Sequence, residues 1–186
     1  MNLRQLPNAI TGLRLAMAPV LPWLLVAGHY RAALAVALAA GLSDALDGML
    51  AKRFGWQSRL GSLLDPIADK LMLGLAMLGL AWVSMLPAWL VGLVLARDLV
   101  IVAGAAAWWR LAGPFDGRPS LLSKLTTALQ VGLVLLCLAE LSGLSLPIQA
   151  RIQMVVAVGL LTFASGLDYV IRYGVRAWRH KRTPPA

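Results

Sequence analysis

Six long apolar runs, each near the length that spans a bilayer, constrain this chain more than anything else in it. They cover about Ile10–Ala27, Ala32–Leu50, Ser62–Val83, Pro87–Trp109, Leu121–Leu141 and Ile152–Tyr173. A helix crossing the hydrocarbon core needs about 20 mostly apolar residues. The runs are too long and too continuous for strands, and they lack the alternation of a membrane barrel. Turn and charge signals separate them: Gly28-His29-Tyr30-Arg31, Lys52-Arg53-Phe54-Gly55, Leu86-Pro87, Gly113-Pro114 and Ser142-Gly143. Composition agrees. The 186 residues are 60% hydrophobic and 13% charged, whereas a soluble domain is about half apolar and about a quarter charged. The expectation is an all-α integral membrane protein of six transmembrane helices. It forms one domain over 1–186, with a basic tail from about 174 to 186. The Gly and Ala in the spans suit close helix packing and a homodimer.

Seventeen Lys and Arg stand against eight Asp and Glu, a formal charge of +9. No basic stripe interleaved with aromatics accompanies them, so nucleic acid is not the expected partner. In a membrane chain the excess marks cytoplasmic loops and anionic headgroups. With the N-terminus inside, the inner segments hold Arg4, Lys52, Arg53, Arg59, Arg110, Arg118, Arg172, Arg176, Arg179, Lys181 and Arg182, against only Arg31 and Arg151 outside. That asymmetry puts both termini in the cytoplasm. The first residues show neither a cleavable signal nor an Arg- and Ser-rich transit segment, which points to a bacterial inner membrane before a mitochondrial one. The one cysteine, Cys137, lies in an apolar run and reads as packing.

Four of the eight acids fall within 26 residues: Asp44 and Asp47 near the end of the second span, Asp65 and Asp69 at the start of the third. Spacings of three and four put each pair on one helix face. An acid at mid-membrane costs about 2.5–3.5 kcal/mol on insertion scales, so four of them require a polar cavity. Gathered there they repel, unless basic side chains or divalent cations offset the charge. Carboxylates without Cys or His suit a hard ion such as Mg²⁺ or Mn²⁺, and paired metals suit phosphate chemistry. A structural network with Lys52, Arg53, Arg59 and Lys70 is the plainer alternative. Acids used as a cation or proton path in a transporter would be spread over membrane depth, whereas these lie at one depth.

The segment reads Asp44-Ala-Leu-Asp47-Gly48-Met-Leu-Ala51-Lys52, eight residues, then Gly61-Ser-Leu-Leu-Asp65-Pro-Ile-Ala-Asp69. It resembles the signature D-x2-D-G-x2-A-R-x8-G-x3-D-x3-D of the CDP-alcohol phosphatidyltransferases, matching seven of eight specified positions at every spacing. The departure is Lys52, which keeps the charge of the family's Arg but loses its planar fork; Arg53 follows it. The resemblance implies a six-helix homodimeric membrane enzyme open to the cytoplasm, moving a phosphatidyl group from a CDP-linked donor to an alcohol with release of CMP. It implies two divalent ions, Mg²⁺ or Mn²⁺, on Asp44, Asp47, Asp65 and Asp69, with Asp69 also the general base. Gly48, Ala51 and Gly61 would let the nucleotide approach, with Lys52, Arg53 and Arg14 near the donor phosphates.

Looser likeness to the eukaryotic-type cardiolipin synthases extends over Leu6-Pro7-Asn8 through Arg14, Ala40 to Asp44, Arg97-Asp98 and Ser123-Lys124 through Gln130. It implies CDP-diacylglycerol as donor and phosphatidylglycerol as acceptor. The alternative acceptor is glycerol 3-phosphate, used by the related phosphatidylglycerophosphate synthases. Those carry a second lysine where this chain has Thr126, and a phosphomonoester with close to two negative charges is weakened by losing a cation. Lys124 and Arg97 are the candidate acceptor-binding residues. For Arg97 and Asp98 the default reading is an ion pair, and for Lys70 a structural counter-charge. Glu140 and Asp168 have no evident partner in the sequence.

Overall fold

A computed structural model describes the backbone at residues 12, 15–54, 59–112 and 120–182, with side chains at 12, 15–43, 67–106 and 120–172. Among the described residues six helices of seven residues or more follow in order: α1 Val20–Val26, α2 Tyr30–Phe54, α3 Arg59–Trp82, α4 Ala88–Ala112, α5 Leu121–Leu141 and α6 Ile148–Arg182. No strand occurs among the described residues. The run expected over Leu121–Leu141 is reproduced as α5, and the last helix begins at Ile148, four residues earlier than expected. Among the described residues, three segments are long and apolar enough to cross a membrane: Ala88–Ala106, Leu121–Leu141 and Ile148–Arg172. Leu15–Val26 and Tyr30–Ser43 are shorter apolar helices.

Local chemistry explains the helix ends. Ser120 caps α5, its hydroxyl accepting from the Ser123 amide at 3.1 Å, which satisfies one of the orphan donors of the first turn. Ser142 closes the same helix through its hydroxyl to the Leu138 carbonyl at 2.7 Å, and Gly143 follows at φ +103°. That left-handed step is one a side chain resists. Pro22 is tolerated in α1 because it lies in the first turn, where its missing N–H has no intrahelical partner to lose.

The core sits where α1, α3, α4 and α5 converge. It is built on Leu21, Leu25, Met77, Leu80, Leu90, Leu133 and Leu138, all almost wholly buried. Cys137 packs among them, as its apolar run implies. Glycine sets the helix separations: a Cβ at Gly79 would come within 2.9 Å of Leu25 and 3.0 Å of the Pro22 backbone. One at Gly104 would come within 2.8 Å of the Tyr169 ring.

Among the described residues α2 and α3 have no direct packing contact, while α1 and α5 each pack against both. The gap between them is the feature that positions the site.

Candidate active site

The gap is a cavity of about 380 Å³, within the usual range for a small-molecule site. Leu21 of α1 and apolar residues of α3 and α5 form most of its wall, with Ala37, Ala40 and Gly41 on α2. Asp69, Lys70, Asp98, Thr127 and Gln130 supply the polar groups. Asp69, expected from the resemblance to be the base, is exposed on this wall.

Helical register carries the lining stripes onward. On α2, Ala40 and Gly41 are followed at steps of four and three by Asp44, then at three and four by Asp47 and Gly48. On α3, Asp69 and Met72 are preceded at four and seven by Asp65. On α5, Thr127 and Val131 are preceded at three and seven by Lys124, which is exposed in the first turn. Positions three, four and seven apart share one face. The side chains of Asp44, Asp47, Gly48, Ala51, Lys52, Arg53, Gly61 and Asp65 lie outside the described residues, as does Arg14.

Beside Asp69 runs a chain of charge. Lys70 Nζ donates to Asp98 Oδ1 at 3.1 Å, and Arg97 Nη1 donates to the same oxygen at 2.6 Å. Arg97 Nη2 donates to the hydroxyls of Ser123 on α5 at 2.5 Å and Ser165 on α6 at 2.9 Å. Arg97 is 5% exposed, and Gly166 lets α6 come against its stem at 3.5 Å. A guanidinium buried this deeply requires a partner charge and hydroxyl acceptors, and it has both. Only its Nε, also buried, has no hydrogen-bond partner. The network ties four helices together at the turn that carries Asp69. Its formal balance is two cations to one carboxylate, a net positive charge beside Asp69.

The ion pair expected of Arg97 and Asp98 is present, and Lys70 is a counter-charge, with Asp98 as its partner. Arg97 itself stands behind the cavity wall rather than in it, its terminal nitrogens already engaged. Thr126 is fully buried and turned toward α6, its hydroxyl donating to the carbonyls of Leu122 at 2.7 Å and Leu161 at 3.3 Å. Lys124, three residues before the cavity-lining Thr127, is the cation in this turn of α5 and is exposed.

As to metal, carboxylate oxygens are the right donors for Mg²⁺ or Mn²⁺. Asp69 has such oxygens on the cavity wall, and Asp98 is engaged by Arg97 and Lys70. Among the described residues no group of three or more His, Cys, Asp or Glu comes together.

The sequence left several polar residues unexplained. Asp168 pairs with Arg172 at 2.6 Å, a contact its four-residue spacing on one helix signals. Glu140 meets Arg151 at 3.4 Å across the α5–α6 connection, which no local spacing signals. Ser165, Thr162 and Gln130 emerge as buried polar groups inside apolar helices. A polar residue within an otherwise apolar run was the available signal for each.

The family model for CDP-alcohol phosphatidyltransferase matches residues 4–166, and the chain belongs to that family. It is similar to a probable cardiolipin synthase (CMP-forming) of Drosophila melanogaster, 31% identical over 186 residues, covering 91% of this chain and 58% of the fly protein. It is 38% identical over 180 residues to a probable phosphatidylglycerophosphate synthase of Mycobacterium tuberculosis, covering 92% of this chain and 82% of that one. Similarity to the human cardiolipin synthase (CMP-forming) is 34% over 151 residues, or 72% of this chain and 50% of the human protein. The chain thus spans between half and three-fifths of the two animal relatives.

Proposed function

We propose that this chain transfers the phosphatidyl group of CDP-diacylglycerol to a primary hydroxyl of phosphatidylglycerol, giving cardiolipin and CMP. The observation that carries this reading is the gap between α2 and α3, whose lining stripes run in register into the family's four aspartates. The whole of 1–186 acts as one catalytic domain that crosses the membrane six times as a homodimer. Both termini and the aspartate end of the cavity face the cytoplasm, as the distribution of basic residues favours. The tail from about 174 meets anionic lipid headgroups.

In this reading Asp44, Asp47, Asp65 and Asp69 hold two divalent ions, Mg²⁺ or Mn²⁺. When bound, such ions neutralise the donor pyrophosphate and stabilise departing CMP. The protein's own groups do the rest. Asp69 accepts the proton of the acceptor hydroxyl, whose oxygen forms the new bond to the phosphatidyl phosphorus as the bond to CMP breaks. Gly48, Ala51 and Gly61 give the nucleotide room, and Lys52, Arg53 and Arg14 meet its phosphates. Lys124 meets the acceptor phosphate, with Arg97 lending charge through Asp98. The network of Lys70, Asp98, Arg97, Ser123 and Ser165 holds the turn bearing Asp69 against α4, α5 and α6.

Lys124 is the one cation this turn of α5 offers, since position 126 is a buried threonine. One cation suits a phosphodiester with a single charge better than a phosphomonoester with nearly two. Glycerol 3-phosphate as acceptor is the second reading, favoured by the likeness to the mycobacterial relative. The test is the purified chain in vesicles containing CDP-diacylglycerol and Mg²⁺, offered each acceptor in turn, with products read by mass spectrometry. Cardiolipin forms faster under the first reading; faster phosphatidylglycerophosphate formation overturns the acceptor assignment.

A further inference from the structure

Two polar side chains on the cavity wall, Thr127 and Gln130, have no part in the chemistry above. Gln130 of α5 is 1% exposed, yet it borders the cavity alongside Asp69 and Lys70. Its Nε2 donates to the hydroxyl of Thr162 on α6 at 3.2 Å, and Thr162 is fully buried. A primary amide pairs donors on one edge with an acceptor oxygen on the other. With the nitrogen turned to α6, the carbonyl oxygen is the edge left for the cavity. The neighbouring wall of α5 is Val131, Val134 and Leu135, which offer no hydrogen bond. Thr127, one turn away, has its proton committed to the Ser123 carbonyl at 3.1 Å. A buried amide is costly in apolar surroundings unless both edges find partners. One edge has a protein partner, and the other faces the space a ligand would fill.

Resting on the phosphatidyl-transfer reading, we propose that Gln130 determines specificity for the acceptor alcohol. Its carbonyl oxygen accepts a hydrogen bond from the secondary hydroxyl of a glycerol headgroup, beside the primary hydroxyl that attacks. Phosphatidylglycerol and glycerol 3-phosphate both present this terminal vicinal diol, so the assignment holds for either acceptor. Thr162 is the positioning residue that turns the amide. A site built to hydrogen-bond a hydroxyl rejects the analogue lacking it, because the buried polar group is then left unpaired.

The experiment compares acceptors differing only in that hydroxyl: a glycerol headgroup against a 3-hydroxypropyl headgroup, each as the phosphatidyl lipid and as the free phosphate. CMP release by the full chain in vesicles is the readout. Wild type prefers the glycerol form by about ten- to a hundredfold in kcat/KM. Gln130→Met, close in size and apolar, loses that preference by slowing on the glycerol form while holding its rate on the hydroxypropyl form. Thr162→Val narrows the preference with Gln130 intact, and serves if Gln130→Met does not fold. An unchanged preference in both variants, or equal slowing on both acceptors, overturns the assignment. Equal use of both acceptors by wild type overturns it as well and leaves phosphatidyl transfer standing. No CMP release from either acceptor overturns phosphatidyl transfer and this assignment together.

Discussion

The two ends of the described bundle spend their polar side chains differently. Where α2, α5 and α6 meet their short connections, charge closes loops. Arg31 Nε reaches the Ser142 carbonyl at 3.5 Å. Arg151 lies 3.4 Å from the Met85 carbonyl and 3.2 Å from its sulfur, and holds Glu140. All three positive-φ residues described, Gly28, Ser84 and Gly143, sit in the α1–α2, α3–α4 and α5–α6 connections. About 15–20 Å along the helices, as far as ten or more residues at 1.5 Å each reach, polar groups lie inside the helices instead. There Lys70, Asp98, Arg97, Ser123 and Ser165 satisfy one another across four helices, and Asp69 and Gln130 front a cavity. A charge near a chain connection can be satisfied by a backbone carbonyl that the turn leaves open. A charge inside a helix cannot, because the carbonyls around it are already used. It must find a side chain from another helix or a ligand, and so interior polar residues mark the working region.

That contrast breaks if the two regions respond alike to mutation. The largest expected effect is Asp98→Ala, which leaves the buried Arg97 guanidinium without its carboxylate. Removing one partner of such a pair costs about 3–5 kcal/mol, and thermal unfolding of the chain in detergent should show it along with lost CMP release. Gly104→Ala comes next. Its Cβ would press on the Tyr169 ring, whose hydroxyl donates to the Ile101 carbonyl at 3.0 Å. Overpacking of this kind costs about 1–3 kcal/mol, and the paired change Tyr169→Phe should not relieve it, since the ring remains. The smallest effect belongs to the loop end. Glu140→Gln keeps the shape and loses one partly exposed charge; it should cost about 1 kcal/mol or less and leave CMP release within twofold of wild type. A Glu140→Gln loss as large as that of Asp98→Ala would erase the distinction between the two ends.

Much of this was legible in the sequence, and what was not has a physical reason. Run length and the turn residues gave an all-helical chain and the bounds of α5, because span length and helix punctuation are local properties. The pairing of Arg97 with Asp98 was readable from adjacency, whereas that of Asp168 with Arg172 was missed although its four-residue spacing on one helix carried the signal. Contacts between helices were not. Nothing local says that Arg97 reaches Ser123 and Ser165, that Gln130 reaches Thr162, or that Lys70 turns to Asp98. Those follow from which helices pack, and the decisive fact there is that α2 and α3, neighbours in sequence, have no packing contact among the described residues. Position 126 illustrates the same limit. Its threonine reads as a cation missing from an acceptor site, but its side chain faces α6. The Asp44, Asp47 and Asp65 side chains, the heart of the motif, stay an argument of register and family membership.

The most direct measurement is CMP release from CDP-diacylglycerol by wild type and by Asp69→Asn, each with Mg²⁺ and with a chelator. Asparagine keeps the size of the side chain but can neither take the acceptor proton nor bring a negative charge to a cation. The account predicts release by wild type only when the metal is present, and a loss of about 10²–10⁴-fold in Asp69→Asn, whose thermal stability stays close to that of wild type. Comparable release from Asp69→Asn, or release by wild type that continues under chelation, would contradict it.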